Sequence, residues 1–302
     1  MTCQELHLKG VIPILSMPFT DDEAVDQEAL GSEIDFLVDA GVDAMGFGFG
    51  SEILRLTDAE RDGAVRAASA QLGGRCELIV SVGGGSVAAL FQRARDAQHA
   101  GATVLMVTPP GGAAATLTTC QEAFAALESE IGLPMIIQDA PSMTGLVMPP
   151  QFLASLTDRL KLVTALKIEA IPSAPKLGEV TDLVGDRVSV LGGAGGGDFF
   201  HELARGATGT MPGAGLPGAF TDVWTLFRAG NVAGARAQFN SMLPLLTLSL
   251  RSLDTFLYVQ KELLRRAGVI PSARLRRPSE RFDSKFRQEL DVAITDLDRA
   301  RA

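Results

Sequence analysis

The sequence predicts an α/β fold, a (β/α)8 TIM barrel followed by a C-terminal helical extension, and three observations carry that prediction. After Lys9, short β-rich apolar runs alternate eight times with segments of helical period. Most of the runs are almost continuously apolar, as parallel strands are when barrel interior covers one face and helices the other. Three helical segments close on glycine and pass directly into the next run, at Gly41, Gly101 and Gly206. That is the short joint of a repeating βα unit. The 302 residues accommodate the roughly 250 that such a barrel needs. An open doubly wound sheet is the structural alternative.

The candidate strands are residues 11–19, 44–49, 77–82, 103–108, 135–139, 162–168, 188–191 and 207–211. Between the second and third, residues 58–71 form an amphipathic helix, with Ala59, Ala64, Val65 and Ala68 on the buried stripe and Arg61, Asp62 and Arg66 on the wet face. Thr57 is its expected N-cap, and Glu60, three residues on, completes a capping box. From about Pro217 the strand signals stop, and helical period runs through Trp224, Phe239, Leu250, Phe256 and Leu264. The expected division is therefore residues 1–216 for the barrel through its eighth strand and 217–302 for the last barrel helix and the extension. The arginine-rich connector from Ala273 to Pro278 reads as a solvated loop or an intersubunit salt-bridge region.

Composition excludes several classes. A chain with 46% hydrophobic residues and 21% charged ones is not disordered. Its 27 basic and 36 acidic residues give a net charge of −9 without a basic stripe, so neither nucleic acid nor an anionic membrane is an expected partner. No apolar run reaches the ~20 residues that span a bilayer, and the first residues lack the basic-then-apolar order of a signal peptide. A cytoplasmic protein is expected. Cys3, Cys76 and Cys120 are odd in number and lack CxxC spacing, which fits reduced thiols.

Barrel active sites lie at the C-terminal ends of the strands. Lys167 ends an apolar strand among Val163, Ala165, Leu166 and Ile168. Desolvation there favours a free amine able to form a Schiff base with a ketone; the competing reading is a snorkelling structural lysine. Lys9, Lys161, Lys176, Lys261 and Lys285 fall outside strand interiors.

After strand two, Gly46, Gly48 and Gly50 with Ser51 and Glu52 could hold a substrate carboxylate through the Gly50 N–H and the Ser51 hydroxyl, or simply form a tight turn. Gln138 and Asp139 leave strand five together, and Asp139, close to Pro141, reads as a turn-former. The glycines around Gly193, after strand seven, and those at 213 and 215 have no Lys or Arg beside them, so they suggest room for a substrate rather than a phosphate site. The glycines at 83–85 read as a permissive loop. His7, His99 and His201 are too scattered to bind a metal, and there is no G-x-S-x-G of a serine hydrolase.

In order along the chain come GVIPILSMPF, GFGFGSE, VTPP, a strand-five end with proline, and the lysine of ALKIE. This series resembles the dihydrodipicolinate synthase/N-acetylneuraminate lyase family over essentially the whole chain. IIQDAP, LKIE, GSEILRLTDAERD, GATGTMPGAGLP and AGVIPSARLRRP look most similar to its L-2-keto-3-deoxyarabonate dehydratase branch. The resemblance implies a homo-oligomer, tetramer or dimer, in which Lys167 forms an imine with a small-molecule 2-keto acid, with no cofactor or metal beyond that covalent imine. The lysine-pathway synthase carries a Tyr-Asn-x-Pro motif where this chain has Gln138, Asp139, Ala140 and Pro141, and the only tyrosine here is Tyr258 in the extension. The family's Thr-Thr-Gly-Glu is here Phe49, Gly50, Ser51 and Glu52, and the aromatic after strand four is replaced by Gly111 and Gly112.

The expected reaction is loss of water from a 2-keto-3-deoxy-pentonate. Lys167 attacks the C2 ketone, the iminium acidifies C3, and the C4 hydroxyl leaves from the enamine. Gln138 orients a water or a substrate hydroxyl but has no usable pKa to act as the base. Glu169, two residues beyond Lys167 on the same side of a regular strand, is a candidate base or a structural anchor. The alternatives are a pyruvate-dependent aldolase or synthase-like condensation on the same enamine, and a catalytically silent keto-acid binder.

Overall fold

The computed structural model describes residues 6–111 and 115–301, so Cys3 and Gly112 lie outside it. Eight parallel strands form one sheet: β1 (Gly10–Val11), β2 (Ala44–Phe47), β3 (Glu77–Val82), β4 (Val104–Val107), β5 (Met135–Asp139), β6 (Val163–Ile168), β7 (Ser189–Gly192) and β8 (Gly209–Thr210). Consecutive strands pair from β2 to β8, and β1 pairs with β8. The ring closes just past β1, where Ile14 bridges Gly46 and the Leu15 N–H donates to the Gly46 carbonyl at 2.8 Å.

Around the ring run α1 (Gln27–Asp39), α2 (Asp58–Leu72), α3 (Val87–Ala100) and α4 (Leu117–Ile131). They are followed by the short α5 (Pro141–Thr144), α6 (Pro150–Arg159), α7 (Ser173–Val184), the short α8 (Phe199–Leu203) and α9 (Pro217–Arg228). Beyond them lie α10 (Val232–Ser249), α11 (Leu253–Arg266) and α12 (Ser284–Arg301).

Side chains alternate across each strand, so each strand feeds two apolar layers. Ile12, Ile79, Met106, Ile136, Ala165 and Leu191 fill the barrel interior. Leu78, Val80, Leu105, Ile137, Leu166 and Val190 pack outward against the helices.

The capping box of α2 forms as the sequence implies: the Glu60 N–H donates to Thr57 Oγ1, and the Thr57 N–H donates to the Glu60 carboxylate at 2.9 Å. Gly101 ends α3 at φ +105°, and a Cβ there would lie 2.2 Å from Ser69 Oγ. Only glycine fits that joint.

Five strands are shorter than the sequence suggests, β4 and β6 only by residues at their ends. Pro13 has no N–H to give a ladder, so the run 11–19 keeps only Val11 in a strand, and Phe19 instead bridges Val25 in antiparallel fashion. Strand two stops at Phe47 because the Gly48 N–H donates to Ser51 Oγ and winds Phe49–Ser51 into a 3-10 turn. The run 207–211 contributes only Gly209–Thr210.

The arginine-rich connector is a loop whose arginines pair within the chain. Arg276 grips the Glu60 carboxylate with two bonds of 2.7 and 2.8 Å, Arg274 reaches Asp21 at 2.7 Å, and Arg277 pairs with Glu23. The connector straps the extension onto its own barrel through fork-shaped guanidinium contacts.

Candidate active site

Because Ala165 and Ile136 point into the barrel, Lys167 and Gln138, two residues on, occupy the next interior layer toward the C-terminal rim. The two are register partners across β5 and β6. Lys167 is 3% exposed and Gln138 1%. Glu169, one residue past β6, stays on the same side and puts Oε1 3.4 Å from Lys167 Nζ. The Gln138 amide donates to Glu169 Oε2 at 2.5 Å, and the Ala194 N–H donates to Oε1 at 2.7 Å.

Burial pushes the Glu169 carboxyl up, but the Lys167 ammonium, the Ala194 N–H and the Gln138 amide together outweigh it and hold it below the usual carboxylate range. It is an ionised acceptor beside a buried amine. Among the described residues, Gln138 Oε1 has no hydrogen-bond partner. Gly193 lies over this group, and a Cβ there would meet Glu169 at 2.5 Å. The space left by the missing side chain is occupied by Glu169.

The 3-10 turn after β2 is equally determined. Ser51 is fully buried, with its hydroxyl donating to the Leu15 carbonyl. Gly50 lies against Ile14 and the Phe256 ring.

Asp139 is more than a turn residue. Its buried carboxylate accepts from Lys176 Nζ at 2.5 Å and from the Met148 N–H at 3.2 Å, fixing the loop that leaves β5. Desolvation raises its pKa despite the Lys176 charge.

The buried Glu33, Glu202 and Lys261 and the half-buried Lys176 escape a strand-by-strand reading. Helical spacing marks two of them. Glu33 stands on the stripe of Leu30, Ile34 and Leu37, and Lys261 falls between Leu257 and Leu264 at intervals of four and three. Burial pushes Glu33 to about 8, opposed by the Ser16 N–H bond and the Lys261 charge. Burial likewise pulls Lys261 down to about 8 against the pull of Glu52.

Ser173 Oγ lies 2.7 Å from Glu202 and 3.1 Å from Asp198. One hydroxyl proton cannot serve two carboxylates, so a protonated Glu202 supplies the second. Its carboxyl is raised by burial to about 8.

A cavity of about 810 Å³ opens at the opposite, N-terminal end of the barrel beside Lys9, Asp43 and Trp224. Active sites on this architecture form at the other end, where Lys167 stands. A cavity of about 380 Å³ opens there between Phe49, Ser81 and Thr108. Among the described residues, no group of three or more His, Cys, Asp or Glu side chains is placed to hold a metal, and no helix is long and apolar enough to cross a membrane.

The model of the dihydrodipicolinate synthetase family matches residues 7–297. An L-2-keto-3-deoxyarabonate dehydratase of Azospirillum brasilense is 31% identical over 299 residues, 96% of this chain and 94% of that protein. A 4-hydroxy-tetrahydrodipicolinate synthase of Geobacter sulfurreducens is 31% identical over 233 residues, 76% of this chain and 78% of that one. The crystal structure of a dihydrodipicolinate synthase from Rhodopseudomonas palustris superimposes with a TM-score of 0.88 at 26% identity, covering 98% of this chain and 99% of the other.

Proposed function

The chain belongs to the dihydrodipicolinate synthetase family of lyases, and from that premise we propose that it dehydrates a 2-keto-3-deoxy sugar acid, L-2-keto-3-deoxyarabonate, to the semialdehyde of 2-oxoglutarate. The observation that carries this reading is buried Lys167 beside half-buried Glu169, whose carboxylate is held by Gln138, the residue that stands where the resemblance places the synthases' tyrosine.

Lys167 adds to the C2 ketone and water leaves, giving an iminium that serves as the electron sink. Glu169, ionised and 3.4 Å from the amine, takes a C3 proton to form the enamine. The electron pair of that enamine expels the C4 hydroxyl, and Glu169 returns the proton to it, so that water departs. Proton shifts from C5 to C3 and from the terminal hydroxyl to C4 turn the end of the chain into an aldehyde. Hydrolysis then frees Lys167.

Gln138 orients the departing hydroxyl. The Gly50 N–H and the Ser51 hydroxyl receive the carboxylate, the hydroxyl turning from Leu15 as the substrate enters. Gly193, by leaving space for Glu169, sets the height of the floor on which the substrate rests. The enzyme works as a homo-oligomer, tetramer or dimer, which light scattering checks.

The test supplies L-2-keto-3-deoxyarabonate and reads two products, the semialdehyde through an aldehyde dehydrogenase and pyruvate through lactate dehydrogenase. Semialdehyde without pyruvate is expected. Pyruvate instead would make the protein an aldolase, and saturable binding without turnover would make it a silent binder.

A further inference from the structure

The helix α11 of the extension reaches the barrel mouth at three places. Phe256 packs on Gly50 after β2 and on Gly195 after β7, where added Cβ atoms would approach its ring to 3.1 and 3.0 Å. Gln260 accepts from the Gly215 N–H after β8 at 2.8 Å. Lys261, with no exposed surface, donates to the Glu52 carboxylate and to the Arg274 carbonyl, and its ammonium lies 4.4 Å from the Phe19 ring centroid.

Glu52 holds a strained backbone position. It bears a side chain at φ 53°, in the left-handed region, and ends the turn that contains Gly50 and Ser51. Its buried carboxylate takes a bond from Arg55 at 3.0 Å and one from the Arg276 N–H at 3.1 Å, besides that of Lys261.

We propose that Lys261 is a positioning residue: through Glu52 it fixes the turn that receives the substrate carboxylate, so the extension sets the affinity of the mouth for 2-keto acids. The inference rests on the reading that Gly50 and Ser51 bind that carboxylate. Lys261 reaches the chemistry only through Glu52 and the turn. Removing its charge loosens ground-state binding, which raises the concentration needed for half-saturation and leaves the saturated rate.

The test measures borohydride trapping of pyruvate as a function of its concentration, together with amide hydrogen exchange at residues 48–52, in full-length wild type, Lys261→Met, Lys261→Arg and Phe256→Leu. For Lys261→Met the half-saturating pyruvate rises about tenfold or more, as expected for a lost bond to a charged group. Its saturated trapping rate stays within about threefold, and exchange at 48–52 quickens by a similar factor of about ten. Lys261→Arg regains part of both effects, and Phe256→Leu shifts both in the same direction by less.

A folded Lys261→Met with unchanged half-saturation, or with its loss confined to the saturated rate, overturns the proposal. If that variant does not fold, Phe256→Leu decides, and unchanged half-saturation and exchange refute it. Failure of the wild type to trap a keto acid would sink the Schiff-base reading instead, and exchange at 48–52 that Lys261→Met leaves untouched would still sink the positioning role.

Discussion

Lys167 and Gln138, register partners on neighbouring strands, share one carboxylate: Glu169 lies 3.4 Å from the Lys167 ammonium and accepts a 2.5 Å bond from the Gln138 amide. In the proposed mechanism that carboxylate moves the C3 proton. Glu169→Gln keeps the shape and removes the base, so kcat falls by about 10²–10⁴-fold while keto acids remain trappable on the protein. Turnover and trapping measured on the same sample check this; full turnover would reduce Glu169 to an anchor.

Gln138→Leu removes a donor that holds Glu169 below the ordinary carboxylate range. The Glu169 pKa then rises, so the acidic limb of the kcat profile moves to higher pH, and kcat at its optimum falls by about tenfold as a bond to a charged group is lost. A pH–rate series for both proteins measures the shift. An unmoved limb would separate Gln138 from the proton transfer.

Much of this site was legible in the sequence because strand period is simple. Lys167 and Glu169, two apart, share a side on a regular strand, and the apolar run around Lys167 pointed to a desolvated amine, with a snorkelling lysine the alternative that its burial removes. Gln138 could be placed at the end of strand five but not in register with Lys167, since pairing joins segments far apart in the chain. The burial of Lys261 and the strap made by Arg276 were hidden for the same reason. Their partners, Glu52 and Glu60, lie more than 200 residues away, and no local pattern reports a contact of that range. Asp139 was misread because a carboxylate near proline suits a turn, whereas its partner Lys176 comes from α7.

Glu202 supplies a prediction about stability. Its carboxyl is raised from 4.5 to about 8 in the folded protein, with burial the leading cause. Below pH 4.5 both states hold the proton and the folded state bears no penalty. Between 4.5 and 8 only the unfolded chain ionises, so stability falls as pH rises, by about 1.4 kcal/mol per unit for such a group. Glu202→Gln should flatten that slope. Urea midpoints at pH 5 and pH 8 check it, and equal slopes in the two proteins would show that Glu202 titrates normally.

The pair of Lys176 and Asp139 fixes the exit of β5. Lys176→Met leaves a fully buried carboxylate without its cation and should destabilise the fold by about 3 kcal/mol, with Asp139→Asn in the same background recovering part of the loss. Chemical denaturation of the two single variants and the double variant gives the coupling. Additive effects would mean that the pair contributes nothing as a pair.

An imine on Lys167 underlies the proposed reaction, and intact mass after borohydride reduction with pyruvate and, separately, L-2-keto-3-deoxyarabonate tests it most directly. One keto-acid adduct per chain is expected, mapped by peptide analysis to Lys167 and absent from Lys167→Ala. An adduct on another lysine, or none with either acid while turnover proceeds, would contradict it.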